Sequence, residues 1–429
     1  MSLNIINHNA KICKFADFYK DMDLKETRAG FPILGTSVYG KPLVYLDNAA
    51  TAQRPESVVR AWEALVRGSN ANIHRAVHKL AADATDAYEG TRDAVRAFLN
   101  AGSREEIIFT SGATASINLV AFSFGEAFVK EGDEIIVSNA EHHSNIVPWQ
   151  MLCLRKNASL RVLEADADGY LDPRKLESLF SGKTKIVAIS HISNVLGLIN
   201  PVKELVSMCH AHGVPVFVDG AQGIVHEAVD VSALDCDFYA FSGHKLYAAT
   251  GTGVLYGKRK WLDLMPPYMG GGEMIGTVSF SGTTYAPLPA KFEAGTQNLN
   301  AVPTLIPAIE FVKAVRQSED VLAEQKAILE YLLGVFSSDS RLRLFGVPRR
   351  TGDKIPLFSF TVEGAHHEDL ALLLDKMGIA VRSGQMCAEP LMDYYGVTGM
   401  VRASFAPYNT MEEAERFVKC LKKAIDMLI

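Results

Sequence analysis

Between Glu106 and Phe241 short apolar runs alternate with longer segments of helical period. Glu106–Thr110, Glu134–Ser138, Leu160–Leu163, Lys185–Ser190, Val214–Val218 and Asp237–Phe241 read as strands, several of them β-branched. The segment running on to Phe128, then Asn145–Lys156, Pro173–Phe180 and Pro201–His212, read as helices. Alternation of this kind specifies βα units on a mainly parallel sheet, an α/β fold with helices flanking the sheet. It also says where to look for chemistry, because such sheets hold ligands at the carboxyl ends of their strands.

A chain of 429 residues exceeds one simple core. The pattern changes near Pro303–Pro307, from which the chain reads as helical through Phe336. Strands follow at Leu342–Leu344 and Pro356–Val362, then helices at His367–Met377 and Met411–Leu428. The expected division is an N-terminal arm and helix over 1–30, packing with the small unit. A large domain over 31–303 and a small α+β domain over 304–429 complete it. Glycine clusters at Gly251–Gly253, Gly270–Gly272 and Gly295 are expected to be loops. Net charge of −6 without a basic run argues against nucleic acid. The N-terminus lacks a signal-peptide pattern, and no apolar run reaches membrane-spanning length. Six scattered cysteines, none in a C-x-x-C pair, suggest a reducing cytoplasm and no metal knuckle.

Two strand tips carry unusual residues. Val214–Val218 runs into Asp219 and Gln222, and Phe238–Phe241 runs into Ser242, His244 and Lys245. A lysine in an apolar, half-buried site loses its proton readily and becomes a nucleophile. A buried amine together with a buried carboxylate is what pyridoxal 5'-phosphate (PLP) needs, although taken alone such a lysine is ordinarily solvated surface and such an aspartate a helix cap. The amine forms the Schiff base, and the carboxylate keeps the pyridine nitrogen protonated. Ala113-Thr114 opens a helix after Glu106–Thr110, where free amide N–H groups and the Thr114 hydroxyl suit a phosphate. Taken alone, that segment reads as an ordinary helix cap. His142 follows another strand and either stacks on an aromatic ligand or is a polar loop residue. Asn194 stands at a further tip, and His74 lies in a turn where it could face a ligand.

Six motifs then stand in one order. They are Leu46-Asp-Asn-Ala-Ala-Thr51, Glu141-His-His-Ser-Asn-Ile-Val-Pro-Trp-Gln150, Val218-Asp-Gly-Ala-Gln222, Phe241-Ser-Gly-His-Lys245, Phe292-Glu-Ala-Gly-Thr296 and Arg382-Ser-Gly-Gln-Met-Cys-Ala-Glu-Pro-Leu-Met392. From about Phe31 onward the chain resembles the class V, fold type I aminotransferases, and within them the SUF-type, group II cysteine desulfurases.

The resemblance implies a PLP-dependent transferase that converts L-cysteine to L-alanine. Lys245 would be the Schiff-base lysine, Asp219 the partner of the pyridine nitrogen and Gln222 that of the ring oxygen. His142 would stack on the ring. Ala113, Thr114, Ser242 and His244 would hold the phosphate, with Thr296 reaching in from the other subunit of a homodimer. Arg402 would bind the substrate carboxylate, helped by Asn194, and His74 and Arg382 would also bind substrate. Cys387 would carry a persulfide to a sulfur-acceptor protein for iron–sulfur cluster assembly. Selenocysteine lyases and other class V lyases or aminotransferases share this pattern and remain alternatives. The chain departs from the family at Gln385-Met386, where two histidines commonly precede the cysteine. Activation of Cys387 is therefore expected to depend on its own surroundings, where Arg382 could supply some positive charge, and not on a neighbouring histidine.

Overall fold

The computed structural model describes residues 23–75, 77–350 and 352–429. The expected N-terminal helix survives there as Leu24–Ala29, capped by Asp23, whose carboxylate accepts from the Glu26 N–H. The earlier part of that expectation lies outside the described residues.

Seven strands form the central sheet, in the spatial order Ile107–Thr110, Gly253–Gly257, Phe238–Ser242, Val216–Asp219, Thr184–Ser190, Glu134–Ser138, Ser159–Leu163. Gly253–Gly257 is antiparallel to both of its neighbours, and the remaining pairs are parallel. Phe238–Ser242 is buried along its whole length, as is Val216–Asp219. Strands covered on both faces need continuous apolar runs, which is why these read so plainly in the sequence. Helices such as Ala113–Phe128 and Val202–Ala211 cover the faces.

A second core surrounds a four-stranded antiparallel sheet, ordered Leu342–Phe345, Leu357–Val362, Met400–Ser404, Arg382–Gly384. Helices Glu319–Ser338, His367–Lys376 and Met411–Leu428 pack on it. The last begins with a capping box, in which Thr410 and Glu413 satisfy each other's backbone N–H groups.

Three features depart from the sequence reading. Helix Leu305–Gln317 lies beyond the 303/304 boundary, yet its buried Leu305, Ala308, Ile309, Phe311 and Val312 join the first core. Leu43–Asp47, an apolar run that ends on an acid as the other strand tips do, is a strand only at Val44–Tyr45, and it pairs in parallel with Ile379–Ala380. Gly270–Gly272 and Gly295 are loops as expected, but the Gly251–Gly253 cluster runs into a sheet strand, Gly253–Gly257, and a hairpin the sequence did not suggest, Ile275–Ser279 with Gly282–Tyr285, follows Gly272. Glycine misleads here because it also serves close packing. A Cβ on Gly253 would stand 2.4 Å from the Gly112 Cα.

Candidate active site

Five ends of the large sheet's strands open on one side, and the loops that follow them line a cavity of about 260 Å³. Ala113 and Thr114 follow Thr110, His142 and Ser144 follow Ser138, and Asn194 follows Ser190. Asp219 and Gln222 end the next strand, and Ser242, His244 and Lys245 the one after. The second unit contributes Arg382, Met386, Cys387 and Arg402. The structure thus gathers twelve of the fourteen residues singled out above. The other two lie elsewhere. The His74 imidazole bonds Glu89 at 3.1 Å, and Thr296 is exposed.

Lys245 is only half-buried because it faces the cavity, yet it sits deep below the outer surface. Burial pushes its amine down to about 8, opposed by Asp219 and reinforced by Arg402. Asp219 is 5% exposed. Burial raises its carboxyl, Lys245 opposes that, and Oδ1 accepts the Ala221 N–H at 2.9 Å. A Cβ on Gly220 would land 2.0 Å from the Tyr239 ring, so glycine is what lets the chain turn beside Asp219. Gln222 donates one amide hydrogen to the Ala49 carbonyl at 2.8 Å, and its amide carries a second.

His142 is driven down to about 3, first by burial and then by Lys245 and His143. Its Nδ1 accepts the Ser144 N–H at 3.1 Å, so the neutral ring carries its proton on Nε2. His244 is held at about 4 by burial, Lys245 and Arg54, with Nδ1 3.1 Å from the Thr51 hydroxyl. The helix Ala113–Phe128 starts at Gly112, which has no side chain to cap it. The Ala113 N–H donates to Ser242 Oγ at 2.8 Å, and the next N–H groups lack intrahelical acceptors.

Arg402 is 2% exposed. It donates to the Asn194 carbonyl at 2.8 Å and to Asp47 at 3.2 Å, while its Nε is buried without a partner. Burial brings this guanidinium down to about 10 against the pull of Asp47. The Asn194 amide donates to the Met386 carbonyl at 2.9 Å. Arg382 Nη2 lies 3.8 Å from Cys387 Sγ. Gln385 is exposed and donates to Glu389 at 3.1 Å, whereas Met386 is 3% exposed among Ala140, Val195, Leu196 and Leu391. The chain therefore lacks histidines beside Cys387 in sequence, but the fold brings His143 to the same segment from another loop.

The sequence reading missed Asp47, the counterion of Arg402, and Glu141. Glu141 is fully buried and accepts from the Ser138 hydroxyl at 2.5 Å, Asn145 at 2.7 Å and the Ser190 N–H at 3.0 Å. Burial raises it to about 7, opposed by Ser138 and Asn145. It follows a strand tip as Asp219 does, so the same reasoning would have found it.

A site that pairs a depressed lysine amine with a buried carboxylate, beside an uncapped helix start, places the molecule among PLP-handling folds. The chain belongs to the class-V aminotransferase family, whose family model matches residues 44–417. Membership implies dependence on PLP. Its relatives include a cysteine desulfurase of Escherichia coli O127:H6, 48% identical over 399 residues, covering 93% of this chain and 97% of the relative. A Shigella flexneri cysteine desulfurase matches at the same 48% and the same coverage. Among solved structures, the cysteine desulfurase CsdA of Escherichia coli, in its S-sulfonic acid form, superposes with a TM-score of 0.85. It is 39% identical and covers 95% of this chain and 100% of its own. The apo cysteine desulfurase of Thermococcus onnurineus NA1 gives 0.87 at 35% identity, covering 95% and 99%. Among the described residues no helix is long and apolar enough to cross a membrane, and no cluster could hold a metal ion.

Proposed function

We propose that this chain is a PLP-dependent cysteine desulfurase that takes sulfur from L-cysteine onto Cys387 and releases L-alanine. The observation that carries the reading is that one cavity joins an amine, a buried carboxylate, a buried guanidinium and a thiol, contributed by two cores. The residues present fit the cofactor. Lys245 would bond it, Asp219 face its ring nitrogen, Gln222 its ring oxygen and His142 its ring face. The helix start at Ala113-Thr114, with Ser242 and His244, would hold its phosphate. Bound there, PLP supplies an electron sink for the substrate's Cα.

The chain's own residues do the rest. Arg402, kept in place by Asp47 and the Asn194 carbonyl, binds the substrate carboxylate. Lys245, with its amine near 8, takes the proton from the substrate Cα. The neutral His142 stacks without adding charge. Cys387 Sγ attacks the substrate sulfur, an S–S bond forms as the C–S bond breaks, and alanine leaves. Arg382 faces the attacking sulfur.

The persulfide would pass to an acceptor protein that serves iron–sulfur assembly. The active unit would be a homodimer, with Thr296 completing the partner's phosphate site. All five described cysteines are unpaired thiols, which suits the cytoplasm. Alanine yield from cysteine, with a thiol reductant present, tests the reading in Cys387→Ala. Loss of yield with the PLP absorbance intact is expected. Full yield would remove Cys387 and move the assignment to another class V lyase or aminotransferase.

A further inference from the structure

The segment that carries Cys387 has an unusual backbone. The Ala388 N–H closes a turn on the Gln385 carbonyl at 3.0 Å, and both central residues are left-handed, Met386 at φ 55° and Cys387 at φ 56°. That is the sign pattern of a type I′ turn, which favours asparagine and glycine. For residues with a Cβ the left-handed region is disfavoured by the clash of Cβ with the following carbonyl oxygen. Such a conformation persists only where the surroundings hold it.

Met386 is tied by its buried side chain and by the bond from Asn194 to its carbonyl. The other flank depends on His143. Its backbone N–H donates to the Cys387 carbonyl at 2.7 Å, and its Nε2 accepts the Glu389 N–H at 2.9 Å. One residue of the large unit therefore brackets the cysteine, gripping the residue itself and the one two places beyond. Since Nε2 accepts, the ring's proton sits on Nδ1. His143 itself is fixed beside His142, whose ring caps the short turn His143–Asn145.

We propose that His143 is a positioning residue that clamps the cysteine turn, setting where Cys387 Sγ stands relative to substrate. The proposal rests on the reading of Cys387 as the nucleophile. The clamp acts on the turn, not on the cofactor. In a chain without histidines at 385 and 386, it supplies from the Glu141-His-His loop an imidazole that bears on the cysteine through the backbone.

The test compares the PLP-loaded full chain with His143→Leu and His143→Gln, the glutamine Oε1 being able to accept the Glu389 N–H. Amide exchange over 384–396 is read by mass spectrometry, together with kcat, KM and PLP absorbance. The leucine variant should exchange this segment on the order of fivefold to tenfold faster, the loss of one hydrogen bond. Its kcat should fall in step, with KM and absorbance near wild type, and His143→Gln should restore both exchange and kcat. Unchanged exchange in His143→Leu would overturn the clamp, as would faster exchange with unaltered kcat, or equal losses in both variants with a changed PLP spectrum. A Cys387→Ala protein that still made alanine would sink the desulfurase reading while leaving the exchange result standing.

Discussion

Glu293 ties three parts of the large unit together. Its carboxylate, on a residue 6% exposed, accepts from both terminal nitrogens of Arg92 at 2.7 and 2.9 Å, from the Phe109 N–H at 2.7 Å and from the Tyr88 hydroxyl at 3.2 Å. It joins the long helix Lys79–Leu99, the strand Ile107–Thr110 and the loop that carries Thr296. Glu293→Leu leaves the Arg92 guanidinium, 1% exposed, without this partner. Breaking a buried ion pair from one side costs about 3–5 kcal/mol. Arg92 keeps two bonds to Glu89 and one to the Ile107 carbonyl, so the lower end, about 3 kcal/mol, applies. An unfolding entropy of about 2.1 cal/mol/K per residue, over a unit of about 300 residues, turns this into a fall in Tm of about 5 °C. Scanning calorimetry reads it. The double variant Arg92→Leu/Glu293→Leu should lose less than the two singles added, because the orphaned charge goes with its partner and only the Phe109 N–H, the Tyr88 hydroxyl and the Ile107 carbonyl remain unpaired. A drop below about 1 °C in the single variant, or a double variant as unstable as the two singles added, would refute the account.

Lys245→Ala should abolish turnover and remove the bound-PLP absorbance band. Near-wild-type turnover would reassign the lysine. Lys354 is 4% exposed, donates to the Leu196 carbonyl, and is pushed by burial to about 7 from 10.5. The unfolded chain then binds more protons between those values, so stability should rise with pH from about 7 to about 10.5. Lys354→Met should flatten the urea midpoint over that window, leaving the smaller contribution of Lys245, and an unchanged slope would count against it. Sedimentation should give a dimer, since the Ile275–Tyr285 hairpin holds out Val278, Phe280 and Tyr285, and Thr296 stands outside its own cavity. A monomer that held PLP tightly would contradict the shared site.

The large sheet was legible because its strands are buried on both faces and therefore apolar throughout, as at Val216–Val218. The strand tips at Asp219 and Lys245 were legible for the same reason, since an abrupt polar residue after such a run stands out. Gly253–Gly257 was lost because Gly253 marks close backbone approach and Gly257 close side-chain packing, which a sequence cannot distinguish from a loop. Pairings set by tertiary context were also hidden. Asp47 reads as a strand tip, but only the fold shows it facing Arg402, 355 positions away. His143 carries no reading of its own in the sequence, and only the fold lays it against the turn at Cys387.

The two-residue ladder between Val44–Tyr45 and Ile379–Ala380 has a consequence for synthesis. The early strand leaves the ribosome with no partner, and its partner follows roughly 330 residues later. At about 5–20 residues per second that is a wait of roughly 15–65 s. The central sheet, complete once Gly257 has emerged, can form meanwhile, but the second core cannot close until Val44 and Leu46 meet the chain's last helix. The nascent chain thus keeps an apolar stretch near its front unclaimed for most of its manufacture, and that stretch is where a chaperone would have most to hold.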